Sequence, residues 1–355
     1  MTETNRAVPP ASPEALHVEA IAKLARQRAQ LVEQISRVIV GQQEVVDNVL
    51  LTIFCGGHAL IIGVPGLAKT LLVRSLGRAL SLAFSRIQFT PDLMPSDITG
   101  TDIIEEDPVT GKRRLEFLSG PIFANLVLAD EINRTPPKTQ AAMLQTMQEY
   151  EVTVGAKTYP LPLPFHVFAT QNPIEMEGTY VLPEAQADRF MFSIHCGYPT
   201  NEEEATVVRN TTGVQIPNLT PVLSGQEIIE IQKLVRAMPI SDEVVQYAVR
   251  LVASTRPEDP AAPAYVKEFV RWGASPRASQ YLVLGAKARA AVQGNLCADY
   301  AGVKSVARQV LRHRLILNFN ARAQKVTVKD LIEKLLAEVN PGAGRKPPPL
   351  LARAR

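Results

Sequence analysis

Cysteine is scarce, and the three thiols, Cys55, Cys196 and Cys297, are far apart, odd in number and without a CxxC pair. That spacing excludes a disulfide framework and a thiolate zinc site. A buried structural thiol in a reducing compartment is the role expected for each. Aromatic residues make up only 6% of the chain and are scattered, with one tryptophan, so nothing resembles a base-stacking platform for nucleic acid. Charge of one sign is lacking too: 38 Lys+Arg against 35 Asp+Glu leave a net +3, which builds no field for a DNA partner. No apolar run reaches the roughly 18 to 20 residues of a membrane span, and Met1 to Glu14 has no apolar core, so neither a spanning helix nor an export signal is expected. The five histidines, His17, His58, His166, His195 and His313, show no metal-ligand spacing and no paired serine or cysteine, and are read as structural.

What the chain does have is length and apolar content for a substantial core: 355 residues, 46% hydrophobic. Five short apolar runs, Ala59 to Ile62, Phe84 to Phe89, Asn125 to Ala129, His166 to Ala169 and Met191 to His195, alternate with helical patterns. The alternation predicts an α/β fold: a five-stranded, largely parallel sheet flanked by helices. After Tyr198-Pro199-Thr200 the strand signals stop. Ser224 with Glu227 and Thr327 with Asp330 have capping-box spacing, and Val245, Ala248, Val249 and Val252 share a helical face, as do Leu331, Ile332, Leu335, Leu336 and Val339. The expected organisation is a flexible leader over 1–15, a core over 16–200, a linker over 201–223, a smaller all-helical domain over 224–340 and a disordered tail over 341–355.

The chemistry is concentrated at strand ends. Ala59-Leu60-Ile61-Ile62 runs into Gly63-Val64-Pro65-Gly66-Leu67-Ala68-Lys69-Thr70 and then an apolar helix from Leu71. A strand that ends in a glycine-bearing turn and opens into a helix aims backbone N–H groups and the helix dipole at one point, which suits a polyphosphate. Lys69 would reach the β- and γ-phosphates and the Thr70 hydroxyl would bind Mg²⁺. Ala68 stands where glycine is usual, and its Cβ penalises the left-handed backbone. Leu126 to Ala129 delivers Asp130-Glu131 at a carboxyl strand end: Asp130 is assigned to the Mg²⁺ shell, directly or through water, and Glu131 to polarising the attacking water. Asn172, which ends the next apolar run before Pro173, is positioned to orient that water or contact the γ-phosphate.

The ordered set of motifs resembles the AAA+ ATPases, and its wording is similar to the MoxR family. It comprises Ile39-Val40-Gly41-Gln42, GVPGLAKT, Asp130-Glu131-Ile132-Asn133-Arg134, Ala169-Thr170-Gln171-Asn172-Pro173, Leu182 to Gln186 through Asp188-Arg189-Phe190, and Gly273 to Ala278. The likeness spans roughly Leu31 to Val339, and alanine before the lysine is usual in that branch. The resemblance implies ATP and Mg²⁺ as cofactors, an AAA+ core followed by a helical lid, and a homo-oligomer, read as a hexamer. It implies that Val40, Gly41 and Gln42 lie beside the adenine, that Asn172 senses the γ-phosphate and that Arg189 is an arginine finger reaching a neighbour's nucleotide. Arg277 resembles the second sensor, in cis or in trans. Ser275 and Pro276 look like N-cap and N1, so Arg277 falls in a first helical turn, where the dipole disfavours a cation unless an anion partners it. Arg134 is read either as a subunit-boundary residue or as a helix-start salt bridge. A helix insert over about 94–121 and a hairpin over about 151–164 resemble inserts that line a ring's pore or face a client. The work implied is chaperone-like remodelling of a client enzyme complex, in assembly or metal-cofactor insertion, often with a von Willebrand factor A domain partner. No membrane role follows, and the compartment implied is the cytoplasm. The rivals are a chelatase-like or nucleic-acid motor, against which the hairpin's single lysine, Lys157, weighs, and a nucleotide-gated scaffold with little turnover.

Overall fold

Each of the five apolar runs forms a strand of one parallel sheet, and the central runs, buried on both faces, need helices above and below them. The structure, a computed structural model, describes residues 13–106, 113–174, 179–213 and 218–340. In chain order the strands are β1 (Ala59–Ile62), β2 (Phe84–Gln88), β3 (Gly100–Glu106), β4 (Arg113–Ser119), β5 (Leu126–Asp130), β6 (Glu151–Val154), β7 (Lys157–Pro160), β8 (His166–Gln171), β9 (Phe192–His195), β10 (Val270–Trp272) and β11 (Ile316–Leu317). The parallel sheet has the order β2-β5-β8-β1-β9. Every residue of β5 is buried, and its side chains alternate between two apolar clusters: Leu126 and Leu128 join the one shared with the helical half, Val127 and Ala129 the one beneath the inserts.

Parallel pairing places the carboxyl ends of β1, β5 and β8 side by side, with Ile62 opposite Gln171 and Ala129 opposite Ala169. The amino edge carries two buried histidines. His58 Nε2–H donates to the Met147 carbonyl at 3.2 Å and its Nδ1 accepts from the Val167 N–H at 2.9 Å, while His166 Nδ1–H donates to the Gly57 carbonyl at 2.9 Å. Burial pushes His58 down to about 3 and His166 to about 4, and each ring stays neutral at its post.

Several expectations need correction. Among the described residues, the insert over 94–121 holds one short helix, Pro95–Thr99, and the antiparallel pair β3–β4. The β-branched residues Thr101, Ile103 and Ile104 favour a strand over a helix there. The span read as linker contains the helix Asn201–Thr211, started by a capping box between Thr200 and Glu203. The helical half is not all-helical: β10 pairs antiparallel with β11. The capping boxes at Ser224/Glu227 and Thr327/Asp330 are present. The helix Asp242–Ala253 buries Val244, Tyr247, Ala248, Leu251 and Val252, so its inner face is turned from the one expected and Val249 is exposed. Cys55 and Cys196 are buried, whereas Cys297 is exposed. The helix Pro13–Ser36 takes in the last three residues of the expected leader; the rest of the leader and the tail over 341–355 lie outside the described residues. No helix of the described residues is long and apolar enough to cross a membrane.

Candidate functional site

Between β1 and the helix Lys69–Ala79 the turn is built by backbone conformations that side chains usually resist. Gly66 has φ +85° with nothing within 4 Å of where a Cβ would sit, so the loop is open on that side. Ala68 takes φ 55°, ψ 20° as N-cap without any side-chain cap bond, which leaves the first N–H groups of the helix free to point outward. A Cβ on Gly63 would meet Cys196 Cβ and O at 2.9 Å, so only glycine lets the loop leave β1 so close to the end of β9. Lys69 Nζ donates to the carbonyls of Gly63 at 2.6 Å and Val64 at 2.7 Å. Burial lowers its pKa, against the opposing pull of Cys196, Asp130 and Glu131.

A cavity of about 380 Å³ opens above this turn, lined by Pro65, Gly66, Leu67, Ala68, Lys69, Thr70 and Leu71 on one side and by Asp130, Glu131, Thr170, Gln171 and Asn172 on the other. The structure thus brings together most of the residues singled out for a triphosphate. Val40, Gly41 and Gln42 sit next to it: Gln42, itself at φ 53°, donates from Nε2 to the Leu67 carbonyl at 3.4 Å, and Gly41 lies against the Glu203 carboxylate.

The two acids are held by a residue the sequence reading passed over. Thr170 Oγ1 donates to Asp130 Oδ1 at 2.6 Å and accepts from the Glu131 N–H at 2.8 Å. Its signal was a polar side chain one place before the carboxyl end of an otherwise apolar strand. Arg86, a charge inside the apolar run of β2, donates to Asp130 Oδ2 from Nε at 2.9 Å and from Nη2 at 2.6 Å. Glu131 takes the left-handed conformation at φ 59° and meets Arg134 Nε at 3.0 Å, so Arg134 is an intrachain salt bridge here. Left-handed backbone at a non-glycine residue persists only where the surroundings hold it. Gln42, Ala68 and Glu131 all belong to segments around this cavity. Asn172 is buried; its Oδ1 accepts from the Ile174 N–H at 3.1 Å, while its Nδ2 has no partner. A buried amide donor without an acceptor is costly to leave, by about 1 to 3 kcal/mol, and this one stands beside the cavity where a phosphate oxygen or a water would satisfy it.

Arg189 and Arg277 are not part of that lining. They line a second cavity of about 260 Å³, with Cys55, Gly56, Gly57, Met147, Tyr150, Arg236 and Tyr281 among its walls. Asp188 sets the geometry there. It accepts from Ser275 Oγ at 2.9 Å, from Arg314 Nε at 2.7 Å and from Arg277 Nη1 at 3.5 Å, and so fastens the helical half to the segment that carries Arg189. Ser275 caps the helix Pro276–Gln293 with Pro276 in its first turn, and the anion that its dipole calls for beside Arg277 is Asp188. Tyr281 Oη donates to the Arg189 carbonyl at 3.1 Å and fixes that backbone.

Comparisons with known proteins agree with this arrangement. The ATPase family associated with various cellular activities (AAA) matches residues 58–192, and the AAA lid domain matches residues 262–335. Chaperone MoxR1 of Mycobacterium tuberculosis is 42% identical over 90% of this chain and 86% of its own. Protein MoxR of Paracoccus denitrificans is 29% identical over 79% of this chain and 86% of its own. The crystal structure of a candidate ATPase from Cytophaga hutchinsonii superposes with a TM-score of 0.84 at 40% identity, covering 91% of this chain and 97% of that one. With a glycine-bearing strand-to-helix turn, an acid pair at the neighbouring strand end and a lid fastened beside Arg189, the chain belongs to the MoxR family of AAA+ ATPases.

Proposed function

We propose that this chain is a Mg²⁺-dependent ATP hydrolase that works as a homo-oligomeric ring, of six copies, in the cytoplasm, and that it remodels a client protein complex. The observation that carries the reading is the Thr170-held pair Asp130–Glu131 facing the Lys69 turn across one cavity, with the unpartnered Asn172 amide beside it.

The residues fit a nucleotide–metal complex. The turn Gly63 to Ala68 with the amides opening the helix Lys69–Ala79 would cradle the phosphates, and Lys69 would leave its two loop carbonyls for the β- and γ-oxygens. Thr70 and Asp130 would hold Mg²⁺. Arg86 and Thr170 already occupy both Asp130 oxygens, which favours contact through water over direct coordination. When bound, the cation draws charge from the β- and γ-phosphate oxygens. Glu131 accepts a proton from a water as its oxygen bonds to the γ-phosphorus. The bond from that phosphorus to the bridging oxygen breaks with its electron pair, giving ADP and inorganic phosphate, and the proton passes on to solvent. Asn172 Nδ2 donates to the attacking water or to a γ-oxygen. Val40 to Gln42, tied to Leu67, flank the adenine.

Within one chain the phosphate cavity has Lys69 as its cation, while Arg189 and Arg277 face a different space. Arg189 and Arg277 therefore act on the nucleotide of an adjoining copy. Chaperone MoxR1 lends its name to the kind of work; the partner proposed is a protein with a von Willebrand factor A domain, and the client an enzyme complex under assembly or metal loading. The test mixes two inactive variants, Arg189→Ala and Glu131→Gln. Interfaces that pair a good P-loop with a good arginine recover turnover. No recovery at any ratio would remove the trans assignment, and undiminished turnover in Glu131→Gln alone would remove the base.

A further inference from the structure

We propose that Arg236, in the last turn of the lid helix Gly225–Ala237, is a third arginine that contacts the terminal phosphates of ATP held by an adjoining copy. The inference rests on the trans reading of Arg189 and extends it to a residue that no motif marks. Arg236, Arg189 and Arg277 line one cavity of about 260 Å³, and no carboxylate is among its lining residues. Asp188 answers Arg277 at 3.5 Å, and it is itself engaged by the buried Arg314. Among the described residues neither Arg189 nor Arg236 has a carboxylate partner. Three guanidinium groups around one space repel each other unless an anion enters, and the interaction strengthens as water is displaced.

The charge of Arg236 is turned into this space. Burial raises both the Cys55 thiol and the Tyr150 phenol, and Arg236 acts on each in the opposite sense. Cys55 and Tyr150 stand on the core side of the cavity and Arg236 on the lid side, so an anion here would be gripped by both halves of the chain. Its backbone is also fixed, since Lys287 Nζ donates to the Arg236 carbonyl at 2.9 Å. The simpler role for an arginine in a last helical turn is to complement the helix dipole. That role acts on stability alone, whereas a phosphate contact acts on turnover.

The experiment uses the full chain carrying Arg236→Gln, with ATP and magnesium as the probe. The expected result is turnover lowered by roughly a hundred- to a thousandfold, the loss typical of one transition-state donor. ATP affinity, read by titration in the Glu131→Gln background, stays within about threefold because the P-loop cavity is untouched. Mixing Arg236→Gln with Glu131→Gln chains restores turnover, as mixing does for Arg189→Ala. Unchanged turnover per folded chain, whatever the melting temperature does, overturns the proposal. So does a loss that mixing cannot restore while Arg189→Ala is restored. If Arg189→Ala is not restored either, the trans reading itself falls and Arg236 with it.

Discussion

The cavity at Lys69 takes half its wall from seven consecutive residues and the rest from two neighbouring strand ends, while the cavity at Arg189 draws residues from five separate stretches between Cys55 and Leu284. The first is a local object: a turn, a helix start and two strand termini that parallel pairing sets side by side. The second exists only because the lid is fastened to the core, and Asp188 with Arg314 is the charged part of that fastening, beside the apolar cluster the two halves share. A local cavity should tolerate damage elsewhere and fail completely when one of its own groups goes. An assembled one should fail when its fastening is cut, even though no lining residue has changed.

Cutting the fastening carries the largest expected effect. Arg314 has 2% of its side chain exposed, and Asp188 is its carboxylate partner. Asp188→Asn takes away the carboxylate that answers that buried guanidinium, and the expected loss of unfolding free energy is about 3 to 5 kcal/mol. Denaturant titration measures it, and ATP affinity of the folded fraction should stay unchanged. A variant as stable as the parent would mean that the two halves are held together by apolar packing alone. The mirror experiment is Lys69→Ala, which should weaken ATP binding by roughly a hundredfold or more, about 3 kcal/mol, with little change in the denaturation midpoint. Calorimetric titration with ATP and magnesium checks it, and parental affinity would remove the phosphate assignment.

Thr170→Val tests the local cavity more finely. The variant keeps the shape of the strand end but strips one hydrogen bond from Asp130 and leaves the Glu131 N–H without its acceptor. Each buried group left unpaired costs about 1 to 3 kcal/mol. Turnover should fall by about ten- to a hundredfold while ATP affinity is retained. Equal turnover would show that the acids need no such support.

The same contrast governs what the sequence made legible. Five strands and the P-loop side of the site could be read because each rests on contiguous residues with a period or a fixed spacing. Thr170 and Arg86 were not read, since their roles depend on which strand lies beside β5, and strand order is a property of the whole sheet. Arg314 and Asp188, 126 positions apart, gave no local signal of pairing at all. The insert was misjudged for a different reason: the β-branched run Thr101 to Ile104 competes with the helical start at Pro95, and the strand won once Gly100, at φ +89°, broke the helix.

Of the histidine pair at the opposite edge of the sheet, His58 lines the second cavity and His166 lines neither, so His166 supplies a control. Both rings are neutral in the fold, with His166 at about 4 and His58 at about 3, below the ordinary value near 6.5. Between about 6.5 and 4 the unfolded chain binds more protons than the folded one, so stability falls as pH falls through that window. The slope is about 1.4 kcal/mol per pH unit for each histidine. His166→Gln should take one histidine's share, about 1.4 kcal/mol per pH unit, off a slope to which His58, His195 and His313 also contribute, as equilibrium unfolding between pH 7 and 4.5 would show; an unchanged slope would mean that His166 takes up no proton on unfolding.

The smallest expected effect bears on how rigid the turn before Lys69 must be. An L-residue in the left-handed region costs roughly 1 kcal/mol relative to glycine, so Ala68 at φ 55° is a local strain carried in the ground state. Ala68→Gly relieves it but also frees the unfolded chain, which works against the gain by about 0.4 to 1 kcal/mol. The net change should therefore lie within about 0.5 kcal/mol of zero. ATP affinity is the more telling readout, because the added freedom falls on the residue whose N–H and neighbours would meet the phosphates. If alanine serves to hold the turn open in one conformation, Ala68→Gly binds ATP a few-fold more weakly at nearly constant stability. Tighter binding in the variant would mean that the alanine hinders the turn and that Gly63 and Gly66 alone set its shape.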